Sequence, residues 1–136
     1  MIIYTNFDKT SDKPNKEKYS KRAIQEAVVN AIVHRDYQMA DPIRITVFTN
    51  RIEIWSPGTL HWGIDKEMFI EGKASPRWRN QTFAYLFNKL RLAQAEGQCI
   101  STIIRSMRIE GCPNPVFEIG VDSIKVILYA HLRAVE

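Results

Sequence analysis

No stretch of this 136-residue chain is apolar for long enough to span a bilayer, and no segment of it reads as a signal peptide. A spanning helix needs about 20 predominantly apolar residues. No membrane-spanning helix is expected within these residues, and the cytoplasm is the default compartment. Cysteine is scarce. The two present, Cys99 and Cys112, lack any metal-type spacing. In that compartment they are expected as reduced thiols rather than as a bridge. There is no internal repeat and no low-complexity segment. Charge of one sign is only mildly in excess: 19 Lys and Arg against 15 Asp and Glu give +4. That balance permits contact with nucleic acid or nucleotide phosphates without requiring either. What remains is ordinary for a globular protein, 45% hydrophobic and 25% charged, at a length that makes one domain with a proper core.

Residues 1–18 read as a flexible N-terminal arm or linker remnant, because Asn6 to Lys16 is polar and turn-rich. Residues 19–136 read as the domain. A helix is expected from Tyr19 to Arg35. Ile43 to Phe48 alternates as a strand, Thr49-Asn50 turns, and Ile52 to Trp55 returns as its hairpin partner. Pro57-Gly58 stops the sheet. Asp65 can cap a short helix reaching Phe69. A basic loop follows, then a helix from Thr82 to Leu92 with Phe83, Leu86, Phe87 and Leu90 expected inside. Another helix runs from Ile100 to Ile109. Val116 to Ile119 and Ser123 to Leu132 read as closing strands. This order leaves helices free to cover one face of a mostly antiparallel sheet: an α+β, two-layer sandwich.

The first helix carries the most information. Ile24, Ala27, Val28, Ala31 and Ile32 follow the spacing of a buried face, and Val29 and Val33 add apolar surface on another side. Yet Glu26, Asn30 and His34 fall at i, i+4 and i+8, one polar stripe on a greasy helix. Buried polar groups need partners. A bound ligand or metal is one kind of partner, and the three are expected to line one polar cavity between this helix and the sheet.

Glu-x-x-x-Asn on a first long helix resembles the N box of the gyrase, heat-shock chaperone, histidine kinase and MutL class of ATPases. The longer string Glu26 to Tyr37 is similar to E-A-x-x-N-A-x-x-H-R-D-Y of a divergent branch, the C-terminal domain of RecG-like helicases and transcriptional regulators. Pro42 to Ile45 resembles that branch's P-I-R-I strand. Ile52 to Gly58 resembles I-E-I-x-N-P-G, Arg79-Asn80 its R-N pair, and Gly97 to Ile100 its G-x-G-I loop. Each motif alone is weak, and the ordered set, from about Arg22 to Leu128, is fairly specific. The resemblance implies a Bergerat-type fold with ATP between helices and sheet under a mobile lid. Members usually carry an Alba-like domain upstream, so it also implies that this chain is the C-terminal piece of a longer protein.

The resemblance implies a role for each residue, set beside a plain structural one. Glu26 becomes the general base that activates water, or else a salt-bridged glutamate with Arg22 at i−4. Asn30 offers an amide oxygen to Mg²⁺, or caps a local polar network. His34 approaches the phosphates, or, with Arg35, answers the helix dipole. Asp36 reads as structural. Ser56 stands where better-known members place an adenine-binding Asp and this branch an Asn; its hydroxyl can accept the same bond. Gly58 completes that motif, or simply makes a turn. Arg77 and Arg79 are lid cations or a solvated basic loop. Gly97 allows backbone amides to approach phosphate ahead of a helix, and Cys99 replaces the branch's second glycine. The reading is an ATP-Mg-binding domain of a bacterial transcriptional regulator with slow or no hydrolysis. The alternative is a non-catalytic interaction module whose nucleotide site has degenerated. Expected partners are the nucleotide, a second copy in a homodimer, and DNA held through other domains. No G-x-x-x-x-G-K-[ST] loop supports a strand-separating motor.

Overall fold

Ser20 starts the first helix. Its extended backbone leaves the hydroxyl free to accept from the Ala23 amide at 3.2 Å, and α1 runs from Lys21 to His34. The protein is described from a computed structural model, over residues 2–5, 18–60, 64–73, 79–92 and 99–132. The strands are β1 (Ile2–Thr5), β2 (Arg44–Val47), β3 (Arg51–Pro57), β4 (Val116–Ile119) and β5 (Ser123–Tyr129). The remaining helices are α2 (Lys66–Ile70), α3 (Gln81–Lys89) and α4 (Cys99–Ile109). Asp65 caps α2, accepting from the Met68 amide at 2.9 Å, as the sequence led us to expect.

The sheet has the order β1-β2-β3-β5-β4. Neighbours from β2 through β3 and β5 to β4 pair antiparallel, and β1 lies parallel to β2. Ile45 opposite Ile54, Val47 opposite Ile52, and Ile54 opposite Val126 put one apolar face toward the helices. That face packs on Ala23, Ala27 and Ala31 of α1 and on Ile100, Ile103 and Met107 of α4. Small alanines let α1 approach closely, and the result is the two-layer α+β sandwich. The other face is polar. Arg51 pairs with Glu53 at 2.8 Å, Lys125 with Glu118 at 3.2 Å, and Arg44 lies over the Trp55 ring.

Two expectations meet a different structure. Residues 1–18 read as an arm, yet Ile2–Thr5 add an edge strand to the sheet; residues 6–17 lie outside the described residues. The apolar residues of α3 were expected inside, yet the helix buries none of its residues, and Phe83, Leu86 and Leu90 are 38%, 46% and 57% exposed. Helical periodicity identified an amphipathic helix correctly. It did not reveal that α3 packs chiefly on α1, outboard of the sheet, where one neighbour cannot cover a whole apolar face.

Candidate functional site

The polar stripe of α1 is inside the protein. Glu26, Asn30 and His34 are 0%, 2% and 5% exposed. Glu26 Oε1 takes an ion pair from Arg22 Nη2 one turn earlier, at 2.5 Å. The charge of the same carboxylate also acts on the Cys99 thiol, at the first residue of α4. Burial, then the Glu26 charge, push that thiol up to about 12 from an ordinary 9.0, so it stays protonated and is a poor nucleophile. At the other end of the stripe, His34 meets the ring of Phe69 in α2 edge-on, with centroids 5.7 Å apart. The stripe therefore runs past α4 and α2.

Between these ends, Asn30 Oδ1 is buried with no hydrogen-bond partner among the described residues. The same holds for the hydroxyl of Thr102, one turn into α4 and 2% exposed. Leaving such atoms unsatisfied costs about 1–3 kcal/mol each, so a native structure retains them for a reason. Sequence reasoning missed Thr102. Its signal was a hydroxyl among Ile100, Ile103 and Met107 on the buried side of α4. An amide oxygen is a ligand type that magnesium accepts, so Asn30 fits the metal that the resemblance implies. Among the described residues no cluster of three or more His, Cys, Asp or Glu could hold a metal ion unaided.

Ser56 is 2% exposed. It lies on the helix-facing side of β3, two residues beyond Ile54 and opposite Ile124. Gly58 follows at φ +97°, where it meets Asp36 rather than open space. The Asp36 amide donates to Pro57 O at 2.9 Å, and Gly58 N donates to Asp122 O at 2.7 Å. Arg79 reaches back into this junction: Nη1 is 3.8 Å from Asp36 Oδ2, and Nη2 donates to Thr59 O at 3.2 Å. Beside it, Asn80 Nδ2 donates to the carbonyls of Val33 at 2.9 Å and Arg35 at 2.7 Å. It thereby satisfies carbonyls that the end of α1 leaves open. Arg35 folds over the Tyr37 ring and donates to the carbonyls of Met39 and Asp41. Asp36 and the Arg-Asn pair thus build one junction between α1, β3 and the start of α3. Gly97 and Arg77 lie outside the described residues.

An open cleft of about 550 Å³, lined by Trp55, Lys66, Phe117 and Lys125 among others, lies toward the β4 side of the sheet and contains none of these residues. Among the described residues no helix is long and apolar enough to cross a membrane.

No curated protein matches this chain. Its fold is similar to the crystal structure of the DIP2311 protein from Corynebacterium diphtheriae, with a TM-score of 0.73 and 23% sequence identity over 84% of this chain. At that identity the likeness concerns fold alone, and the match spans 23% of that protein's length. A sequence family matches residues 40–128, a span that includes Ser56, Gly58, Arg79, Gly97 and Cys99 and begins after Glu26, Asn30 and His34. That family is described as "Putative ATP-dependent DNA helicase recG C-terminal", and the chain belongs to it.

Proposed function

We propose that this domain binds ATP with Mg²⁺ beside α1, hydrolyses it slowly or not at all, and serves as the nucleotide-responsive part of a bacterial, cytoplasmic transcriptional regulator. The observation that carries the reading is Asn30: a buried amide oxygen with no partner among the described residues, midway along a polar stripe. In this reading Asn30 would give Mg²⁺ one protein ligand, and the ion would supply neutralisation of phosphate charge. Thr102 offers a hydroxyl from the facing helix, Ser56 accepts from the base on the sheet side, and His34 lies at the far end of the stripe. The start of α4 at Cys99 approaches the phosphates, and the resemblance assigns Gly97 to the same loop. Helices on one face of a mostly antiparallel sheet suit a Bergerat-type ATP-binding fold. Dimerisation and DNA contact belong in this reading to a longer protein.

The stripe is closed off from solvent, so nucleotide reaches Asn30 only when neighbouring chain moves. Binding is therefore expected to be weak. Calorimetric titration of ATP and ADP, with and without Mg²⁺, tests this. Binding that Mg²⁺ strengthens, and an Asn30→Ala variant that folds but loses the magnesium dependence, are the expected results. Ligand at 100 times its Kd adds about 2.7 kcal/mol of apparent stability, so thermal denaturation gives a second readout. No heat and no thermal shift at millimolar nucleotide would leave the second reading, a non-catalytic interaction module. The observation favouring that module is Cys99, whose side chain stands at the position of the family's second glycine.

A further inference from the structure

Asn80 stands at the start of α3, where an asparagine ordinarily caps its own helix. Its side chain makes no such bond. Nδ2 instead donates to Val33 O at 2.9 Å and to Arg35 O at 2.7 Å, and the Asn80 backbone amide donates to Val33 O at 3.2 Å. These targets are all acceptors, which fixes the amide with its nitrogen toward α1. The need comes from the way α1 ends. Arg35 leaves the helix at ψ 138°, and no left-handed residue follows to fold amides back onto the last carbonyls. The carbonyls that Asn80 holds lie on either side of His34, the buried last residue of α1, whose ring meets Phe69.

We propose that Asn80 is a positioning residue for His34. One side-chain amide clamps the main chain on both sides of the imidazole, so the far end of the polar stripe keeps its shape only while the start of α3 is docked on α1. The consequence for nucleotide rests on the ATP-binding reading above: displacing the start of α3 weakens binding at the stripe.

Two measurements need no nucleotide. Aspartate caps a helix as well as asparagine does, and better than alanine. A capping role therefore leaves Asn80→Asp near wild type and makes Asn80→Ala the weaker variant. The clamp gives the opposite order. A carboxylate has no proton for the two carbonyls, and its charge faces the negative end of α1. In urea unfolding, Asn80→Asp is expected to lower the folding equilibrium constant about tenfold, at least as much as Asn80→Ala, through the hydrogen bonds lost. Asn80→Asp near wild type overturns the clamp. The second measurement is nuclear magnetic resonance. The His34 ring signals, set by the edge-on Phe69 ring, should shift in both variants, while those of His131, whose amide donates to Lys18 O ahead of α1, stay in place. His34 signals that do not move overturn the proposal. In wild type the Asn80 side-chain protons should exchange slowly with solvent; exchange at the rate of a free amide overturns the clamp even if neither variant folds. The third measurement is calorimetric titration with ATP and Mg²⁺. A Kd raised several-fold in Asn80→Ala supports the link to nucleotide, and an unchanged Kd overturns that link. Absence of binding by wild type refutes the functional reading instead, and the unfolding and resonance results still decide the clamp.

Discussion

A β-carbon on Gly58 would lie 2.6 Å from the β-carbon of Asp36 and 2.8 Å from its backbone nitrogen. The Pro-Gly at the end of β3 and the Asp at the end of α1 are thus two sides of one contact, closed by the Asp36 amide on the Pro57 carbonyl at 2.9 Å. Glycine is needed twice over: its φ of +97° strains any other residue, and backbone rather than a flexible side chain occupies the space. Gly58→Ala is expected to cost about 3 kcal/mol, the sum of left-handed strain and a clash that cannot relax cheaply. Urea denaturation measures it, and a change below about 0.5 kcal/mol would refute this account of the junction.

That junction marks where sequence reasoning succeeded and where it stopped. The helix, the hairpin and the cap at Asp65 were legible because each depends on local chemistry: spacing on α1, alternation in β2 and β3, a carboxylate ahead of a short helix. The stripe of Glu26, Asn30 and His34 was legible as polar residues on a buried helix, and all three are buried. Their neighbours were not legible, because Cys99, Thr102 and Phe69 arrive from elements 35 or more positions away, and periodicity carries no information on which helices meet. The roles of Arg79 and Asn80 were hidden for the same reason. Their targets are main-chain carbonyls and an aspartate at the end of α1, and a main-chain target leaves no trace in side-chain identity.

The misreading of α3 gives a test of its own. Leu86 and Leu90 sit on the amphipathic face yet are 46% and 57% exposed, while Ile103 of α4 is 0% exposed. Leu86→Lys and Leu90→Lys are expected to leave stability within about 0.5 kcal/mol of wild type, as for surface substitutions generally. Ile103→Ala should cost about 3 kcal/mol through lost burial and the cavity left behind. Thermal or urea denaturation of the three variants, each as an isolated domain, distinguishes the arrangements. A loss above about 2 kcal/mol at Leu86 would place that side of α3 in the core after all.

Alkaline pH should weaken the fold through groups that it keeps protonated. Burial, then the Glu26 charge, raise the Cys99 thiol from 9.0 to about 12. Burial, then the charge of Cys112, raise the Tyr19 phenol from 10.0 to about 12, and its hydroxyl has no hydrogen-bond partner among the described residues. Cys112 is also raised from 9.0, again chiefly by burial. In the unfolded chain these groups release their protons first, so above pH 9 the unfolded state binds fewer protons than the native one. Linkage then requires stability to fall as pH rises. The contribution is fully present below the unfolded values of 9.0 and 10.0 and is lost progressively toward about 12. Urea midpoints should therefore be level near pH 8 and decline between pH 9 and 11. A Cys99→Ser, Cys112→Ser double variant should flatten the earlier part of that decline, and Tyr19→Phe the later part. A midpoint that holds constant from pH 8 to 11 would mean that these side chains titrate alike in both states, and that the burial assigned to Cys99 and Tyr19 is wrong.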